Sequence, residues 1–325
     1  VNDRTGNETG MGEPLVRDEP TPYGEPPTSD GAEGDRQIPP RKRPPASATR
    51  RQHRPERTLP LRVELERQLR RRRTQVVFAL VALLPVLLWL AFELAPDGPA
   101  TGSVSLVDLA TGSGANFAVF ALFASASFLL VVVVALFFGD TVAAEASWSS
   151  LRYLLAAPVP RARLLRQKAV VAALLSVAAL LLLPIVALLV GTLAYGAGDL
   201  VSPTGVSIDY APAVARVLSG AVYIAVHLSW VAALAMLLSV STDAPLGAVG
   251  GAVMVSIVSQ ILDQITALEG LRDVLPTHFG DAWAGLLSAT VDWGDMTRGV
   301  LSALTYALVL GAAAVWRFQR KDITS

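Results

Sequence analysis

Glu145, Ser149 and Arg152 recur at i, i+4 and i+7 beside a stripe made of Ala144, Trp148, Leu151 and Leu155. At helical spacing this gives one apolar face and, next to it, a flank bearing a carboxylate, a hydroxyl and a guanidinium. Such a helix either fills a connection between two spans at the membrane surface or serves as a lever for a cytoplasmic partner. Pro158 and Pro160 then stop the helix and turn the chain, with Arg161 just beyond. Ionisable groups inside apolar runs are costly, and this chain has Glu93, Arg216, His227 and Asp263 there. Glu93, Arg216 and Asp263 fall near run ends, where snorkelling to the headgroups accounts for them, and an Arg216–Asp263 bridge is conceivable. His227, in YIAVHLSW, sits deeper. It serves either a helix-packing hydrogen bond or the translocation path, handling substrate or protons.

Several chemistries are excluded or disfavoured. The chain has no cysteine, which removes disulfides, thiolate metal sites and cysteine nucleophiles. His53, His227 and His278 lie too far apart in sequence to suggest a metal site. No glycine is followed by lysine, so a GxxxxGK[ST] phosphate loop is impossible in this chain. Leu218-Ser219-Gly220 sits in an apolar run and is dismissed as a nucleotide motif. No cofactor is expected in this chain, and no enzymatic activity of its own.

The elements that must position these residues are membrane helices. Just over half the residues (52%) are hydrophobic, 17% are charged, and the mean hydropathy is +0.48, which is too apolar for an ordinary soluble domain. Residues 1–60 hold 11 of the 21 prolines and are expected to form a disordered cytoplasmic tail, acidic and then basic. The tail has no aromatic interleaving, so its basic block reads as a topology signal and not as nucleic-acid binding. It also has no apolar leader run, so the first span is expected to direct insertion. Val1 in place of methionine suggests an alternative start codon or an incomplete N-terminus. Residues 61–75 place Leu61, Leu65 and Leu69 on one face of an amphipathic interfacial helix.

Residues 76–325 then form a six-span all-α domain, with spans at about 76–94, 116–138, 169–194, 213–240, 244–268 and 300–316. Each approaches the ~20 residues needed to cross a ~30 Å hydrocarbon core. Pro85 and Pro184 should kink their helices without ending them. With both termini cytoplasmic, 24 of the 27 lysines and arginines fall on one side, as the positive-inside rule requires. Gly247, Gly250 and Gly251 give a smooth face for a dimer contact or for a crossing within the chain. Pro276 to Gly294 is too short and too polar for a seventh span and suits an outer interfacial or re-entrant pair. The spans are rich in Leu, Val and Ala without a polar-cavity signature, which favours a hydrophobic or amphipathic cargo.

The order Gly139-Asp140, Glu145, Ser149-Ser150-Leu151, Leu154-Leu155, Ala157-Pro158-Val159, Arg161, Leu164-Leu165 and Lys168 resembles the coupling-helix signature of type 2 ABC transporter permeases, the transmembrane subunits of bacterial ABC exporters. Ser149-Ser150-Leu151 stands where that family has a Gly-Thr-Leu triplet. LPTHFGDAWAGLL (275–287), the C-terminal WRFQRKDITS and RVELERQLRRRRT before the first span also resemble that family, so the likeness covers residues 61–325. It implies a plasma-membrane permease subunit with no ATPase site, paired as a homodimer or heterodimer. A separate ABC ATPase subunit would bind the ATP and Mg. It also implies that Glu145, Trp148, Ser149, Leu151, Arg152, Pro158 and Arg161 form the ATPase-coupling surface over residues 140–158. The alternatives are a non-transporting membrane scaffold and an intramembrane serine protease. The protease would need a serine partner for His227, and the GxS match Gly205-Val206-Ser207 lies in a loop.

Overall fold

The structure, a computed structural model, describes residues 61–94, 106–147, 161–202 and 205–320. All of them belong to one compact unit, His53–Ser325. The expected tail lies outside the described residues. Helix α1 (Leu61–Leu69) carries Glu64 in its first turn and Arg67 in its last, which suits the helix dipole. Leu61 and Leu69 are exposed, as a lipid-facing edge should be, while Glu64, Leu65 and Gln68 are the half-buried positions.

Helix α2 (Arg72–Leu94) continues through Pro85. After α3 (Leu106–Thr111) come α4 (Gly114–Ala126) and α5 (Leu129–Ser147), bent by 55° at the break between them. Ser113 caps α4 by accepting the Asn116 backbone N–H at 3.2 Å. Helix α6 (Arg161–Tyr195) runs unbroken through Pro184. A two-stranded antiparallel hairpin follows, β1 (Leu200–Val201) with β2 (Ser207–Ile208), pairing Leu200 with Ile208. Helices α7 (Tyr210–His227) and α8 (Ser229–Ser241) are separated only by Leu228. Helix α9 (Pro245–Asp263) starts with proline at its first position, where the missing N–H costs nothing. Two stretches of 3-10 helix, Thr266–Val274 and Ala282–Leu287, precede α10 (Gly294–Arg320).

Among the described residues, five helices are long and apolar enough to cross a membrane, or six when the bent α4–α5 pair counts as one span. Several boundaries differ from the sequence reading. The fifth apolar helix ends at Asp263 and not near Leu268, because Gln264 and Ile265 close back on Ile261 and Leu262. The last helix begins at Gly294 and reaches Arg320, well beyond the apolar run. A helix ladder continues past its hydrophobic window where no breaker stops it.

In lipid the apolar side chains gain little by leaving the solvent, so contact comes from close packing and internal hydrogen bonds. Helix α4 meets α6 where Gly114 has no side chain, since a Cβ there would lie 2.5 Å from the Thr192 backbone nitrogen. Helix α5 packs on α9 at Gly139, where a Cβ would come 2.8 Å from Val249 Cγ2. Ser239 of α8 accepts the backbone N–H groups of Val142 and Ala143, both at 3.0 Å. The stretch expected to form an outer interfacial or re-entrant pair packs on the helices, with Trp283, Leu286 and Leu287 buried. Trp283 fits over Gly220, the glycine of the dismissed Leu-Ser-Gly tripeptide.

Candidate functional site

Helices α5, α7 and α9 converge with the loop between the two 3-10 stretches on a pocket of about 230 Å³. Helix α9 presents Ser256, Gln260 and Asp263 to it, at i, i+4 and i+7. His227 enters from the C-terminal turn of α7, and Thr277, His278 and Asp281 close the pocket from the loop. For helices this apolar, the lining is unusually polar.

The polar groups bond in three separate sets. Gln260 donates to the Ser127 carbonyl at 2.8 Å and to Ser256 Oγ at 3.3 Å. Ser259 and Thr277 share a hydroxyl contact of 2.7 Å. His278 Nδ1 lies 2.6 Å from Asp263 Oδ1, and its Nε2 lies 3.2 Å from Asp273. Arg272 Nε completes the group at 3.6 Å from Asp263. Asp281 is exposed as a residue, yet crowding desolvates its carboxyl and, with the nearby Asp263 charge, raises it above the ordinary carboxylate value.

His227 is buried. Its ring stacks on Tyr223 with centroids 5.8 Å apart, the Gly299 backbone bonds it, and its Nδ1 has no hydrogen-bond partner among the described residues. The His227 ring thus packs against its own helix through Tyr223 and also lines the pocket. Ser256 Oγ accepts from Gln260 at 3.3 Å and makes no hydrogen bond to His227 among the described residues. Among the described residues no group of His, Asp and Glu is arranged to hold a metal ion.

The structure corrects two sequence expectations here. Arg216 does not bridge Asp263; its Nη1 donates to the carbonyls of Leu286 and Ser288 at 2.9 and 2.8 Å, pinning the second 3-10 stretch to α7. Asp263 turns inward to His278 and does not snorkel outward. The expectation of spans without a polar cavity also fails at this point, because each helix supplies only one to three polar residues. The Ser256–Gln260–Asp263 spacing was the signal available. Glu93 is exposed at the end of α2, as expected.

Of the expected coupling residues, Glu145 lies within α5 and Arg161 opens α6. Trp148, Ser149, Leu151, Arg152 and Pro158 lie outside the described residues. What flanks that segment is firmly seated, by the Gly139 and Ser239 contacts on one side and by α6 on the other.

The family model described as a protein of unknown function (DUF2705) matches residues 103–324. A comparison with curated proteins finds no match.

Proposed function

This chain belongs to the DUF2705 family, and on that premise we propose that it is the membrane-spanning permease subunit of an ATP-driven exporter of the type 2 ABC class. It crosses the membrane six times, with the α4–α5 pair as one bent span and both termini cytoplasmic. A separate ATPase subunit drives it through residues 140–158. The membership assigns no activity; the reading rests on the coupling-helix resemblance and on one structural observation.

That observation is the length and continuity of α6. Its 35 residues, at ~1.5 Å rise each, make a rod of roughly 52 Å. One end is Arg161, where the proposed coupling segment closes. The other end is held by α4 at Gly114 and by the Thr192–Tyr210 hydroxyl pair, 2.7 Å apart. Movement imposed at the coupling segment is thereby carried across the bilayer as a rigid-body tilt of α5 and α6. The polar pocket beside α5, with His227 and Asp263, lies where such a tilt would open or close it. It is the proposed place for a hydrogen-bonding part of the cargo.

Purification in mild detergent from the native cell, followed by identification of co-purifying chains and ATP hydrolysis measurements, tests the proposal. A stoichiometric nucleotide-binding subunit is expected, with hydrolysis that falls in Glu145→Ala and Arg152→Ala while the chain stays in the membrane. Isolation without any ATPase, or unchanged turnover in both variants, would overturn it in favour of a scaffold.

A further inference from the structure

A second cavity, of about 530 Å³, lies at the end of the bundle that carries α1 and shares no residue with the His227 pocket. Three of the helices lining it change from polar to apolar in the same direction. On α2, Arg73 and Thr74 give way to Val77. On α5, Asp140 and Thr141 give way to Phe137 and Leu136. On α6, Lys168 gives way to Val171, Ala172 and Leu175. At ~1.5 Å per residue the change from charge to hydrocarbon occupies roughly 6–10 Å of depth. A soluble anion would leave the apolar walls against water, and a hydrocarbon guest would leave the charged end uncovered. An amphiphile satisfies both halves.

The sign of the headgroup follows from the charges. Asp140 is shared by two guanidiniums, Arg73 at 2.6 Å and Arg71 at 3.9 Å. Lys168 is buried at the same end. Burial pushes the Glu64 carboxyl up, but the hydrogen bond from Arg67, the Lys168 charge and the Gln68 amide outweigh it and hold the group below its ordinary value. Positive charge therefore governs the polar end, with Arg71 and Arg73 geometrically suited to a phosphate. On the rim Leu246 of α9 is 83% exposed. Leu246 belongs to the first turn of α9, three residues before the Val249 that packs on Gly139, so this open apolar edge lies level with the charged end, and the deeper walls are Val77, Leu136, Val171 and Leu175.

We propose that this cavity binds one anionic glycerophospholipid from the leaflet on the α1 side, with its phosphate on Arg71 and Arg73 and an acyl chain running down past Val77 and Leu175. The site depends on the chain spanning a bilayer and not on its being a permease.

The purified full-length chain in neutral detergent is mixed with phosphatidylglycerol, phosphatidylcholine or inorganic phosphate. Thermal midpoints and lipid retained in intact-complex mass spectrometry are the readouts. Phosphatidylglycerol should be retained in clear preference to phosphatidylcholine and should raise the midpoint. Since each basic residue near a membrane surface is worth roughly fivefold in anionic-lipid affinity, Arg71→Gln with Arg73→Gln should reduce that preference by roughly 25-fold. Val77→Trp, which fills the apolar half, should lose both lipids. Arg73 is exposed and Arg71 half-buried at the cavity rim, neither of them in the apolar core, so the double variant tests the site without disturbing the core. Equal retention of the two lipids, a preference that survives the double variant, or the same stabilisation by inorganic phosphate would each overturn the proposal.

Discussion

The two ends of the bundle secure their polar groups with ion pairs and backbone bonds in different proportions. At the α1 end solvent-open guanidiniums pair with carboxylates, Arg73 with the largely covered Asp140, Arg67 with the largely covered Glu64 and Arg70 with the open Glu66, and the buried Ser239 hydroxyl holds the backbone of Val142 and Ala143. At the far end, helix side chains are bonded to the backbone of loops. Asn116 both donates to and accepts from Val201, at 2.7 and 2.9 Å. Arg216 holds Leu286 and Ser288, while Tyr223 and Tyr306 donate to the carbonyls of Phe279 and Val274, each at 2.6 Å. Exposed ion pairs contribute about 0–1 kcal/mol and reform readily in new geometries. Partly buried side-chain-to-backbone bonds are costly to break, because each leaves a peptide group unpaired. The far end is therefore built largely as a cap of loops bonded to helices, while the α1 end combines ion pairs with the buried Ser239 contact.

The contrast can be broken most forcefully at the cap's closest approach. Gly114→Val would drive a side chain into the Thr192 backbone and should cost about 3 kcal/mol or prevent assembly, measured as a fall in thermal midpoint in detergent. Asn116→Ala leaves both backbone groups of Val201 unpaired and should cost about 2 kcal/mol by chemical denaturation. A midpoint unchanged by either would mean the cap is not rigid.

Two carboxylates then separate the ends by sign. Glu64 has its folded pKa lowered from the ordinary 4.5, so its contribution is present above that value and is lost as pH falls through the folded one. Asp281 has its folded pKa raised from the ordinary 3.8, so its contribution is present below that value and is lost as pH rises through the folded one. Glu64→Gln should accordingly be less stable than the parent at neutral pH, and Asp281→Asn more stable. Both gaps should close on acidification, and thermal midpoints across that range decide the signs. The smallest effect belongs to Arg73→Gln, which should lower stability by less than ~1 kcal/mol. A larger loss would show that the α1-end pairs are structural fastenings after all.

Much of this architecture was legible from hydropathy and charge. The apolar runs located the helices because a bilayer leaves the backbone no partner but itself. The prolines at 85 and 184 were passed through as expected. The partners of single polar residues were not legible. Asp263 looked like a residue snorkelling at a helix end, and only the fold of residues 264–281 back over α9 brought His278 within 2.6 Å of it. Arg216 had no visible reason to choose carbonyls 70 residues away.

The sequence by itself determined that the chain is mostly apolar helix, where its charges must segregate, and that it carries no phosphate loop or cysteine chemistry. These are properties of composition and of period along one strand of chain, settled by the cost of burying charge or unpaired backbone. Only the tertiary structure decided the bend at Ser127, the pocket around His227 and the graded cavity beneath α1. Each of them gathers one to three residues apiece from several helices. Packing chooses which turn faces which neighbour, and local periodicity holds no record of that choice.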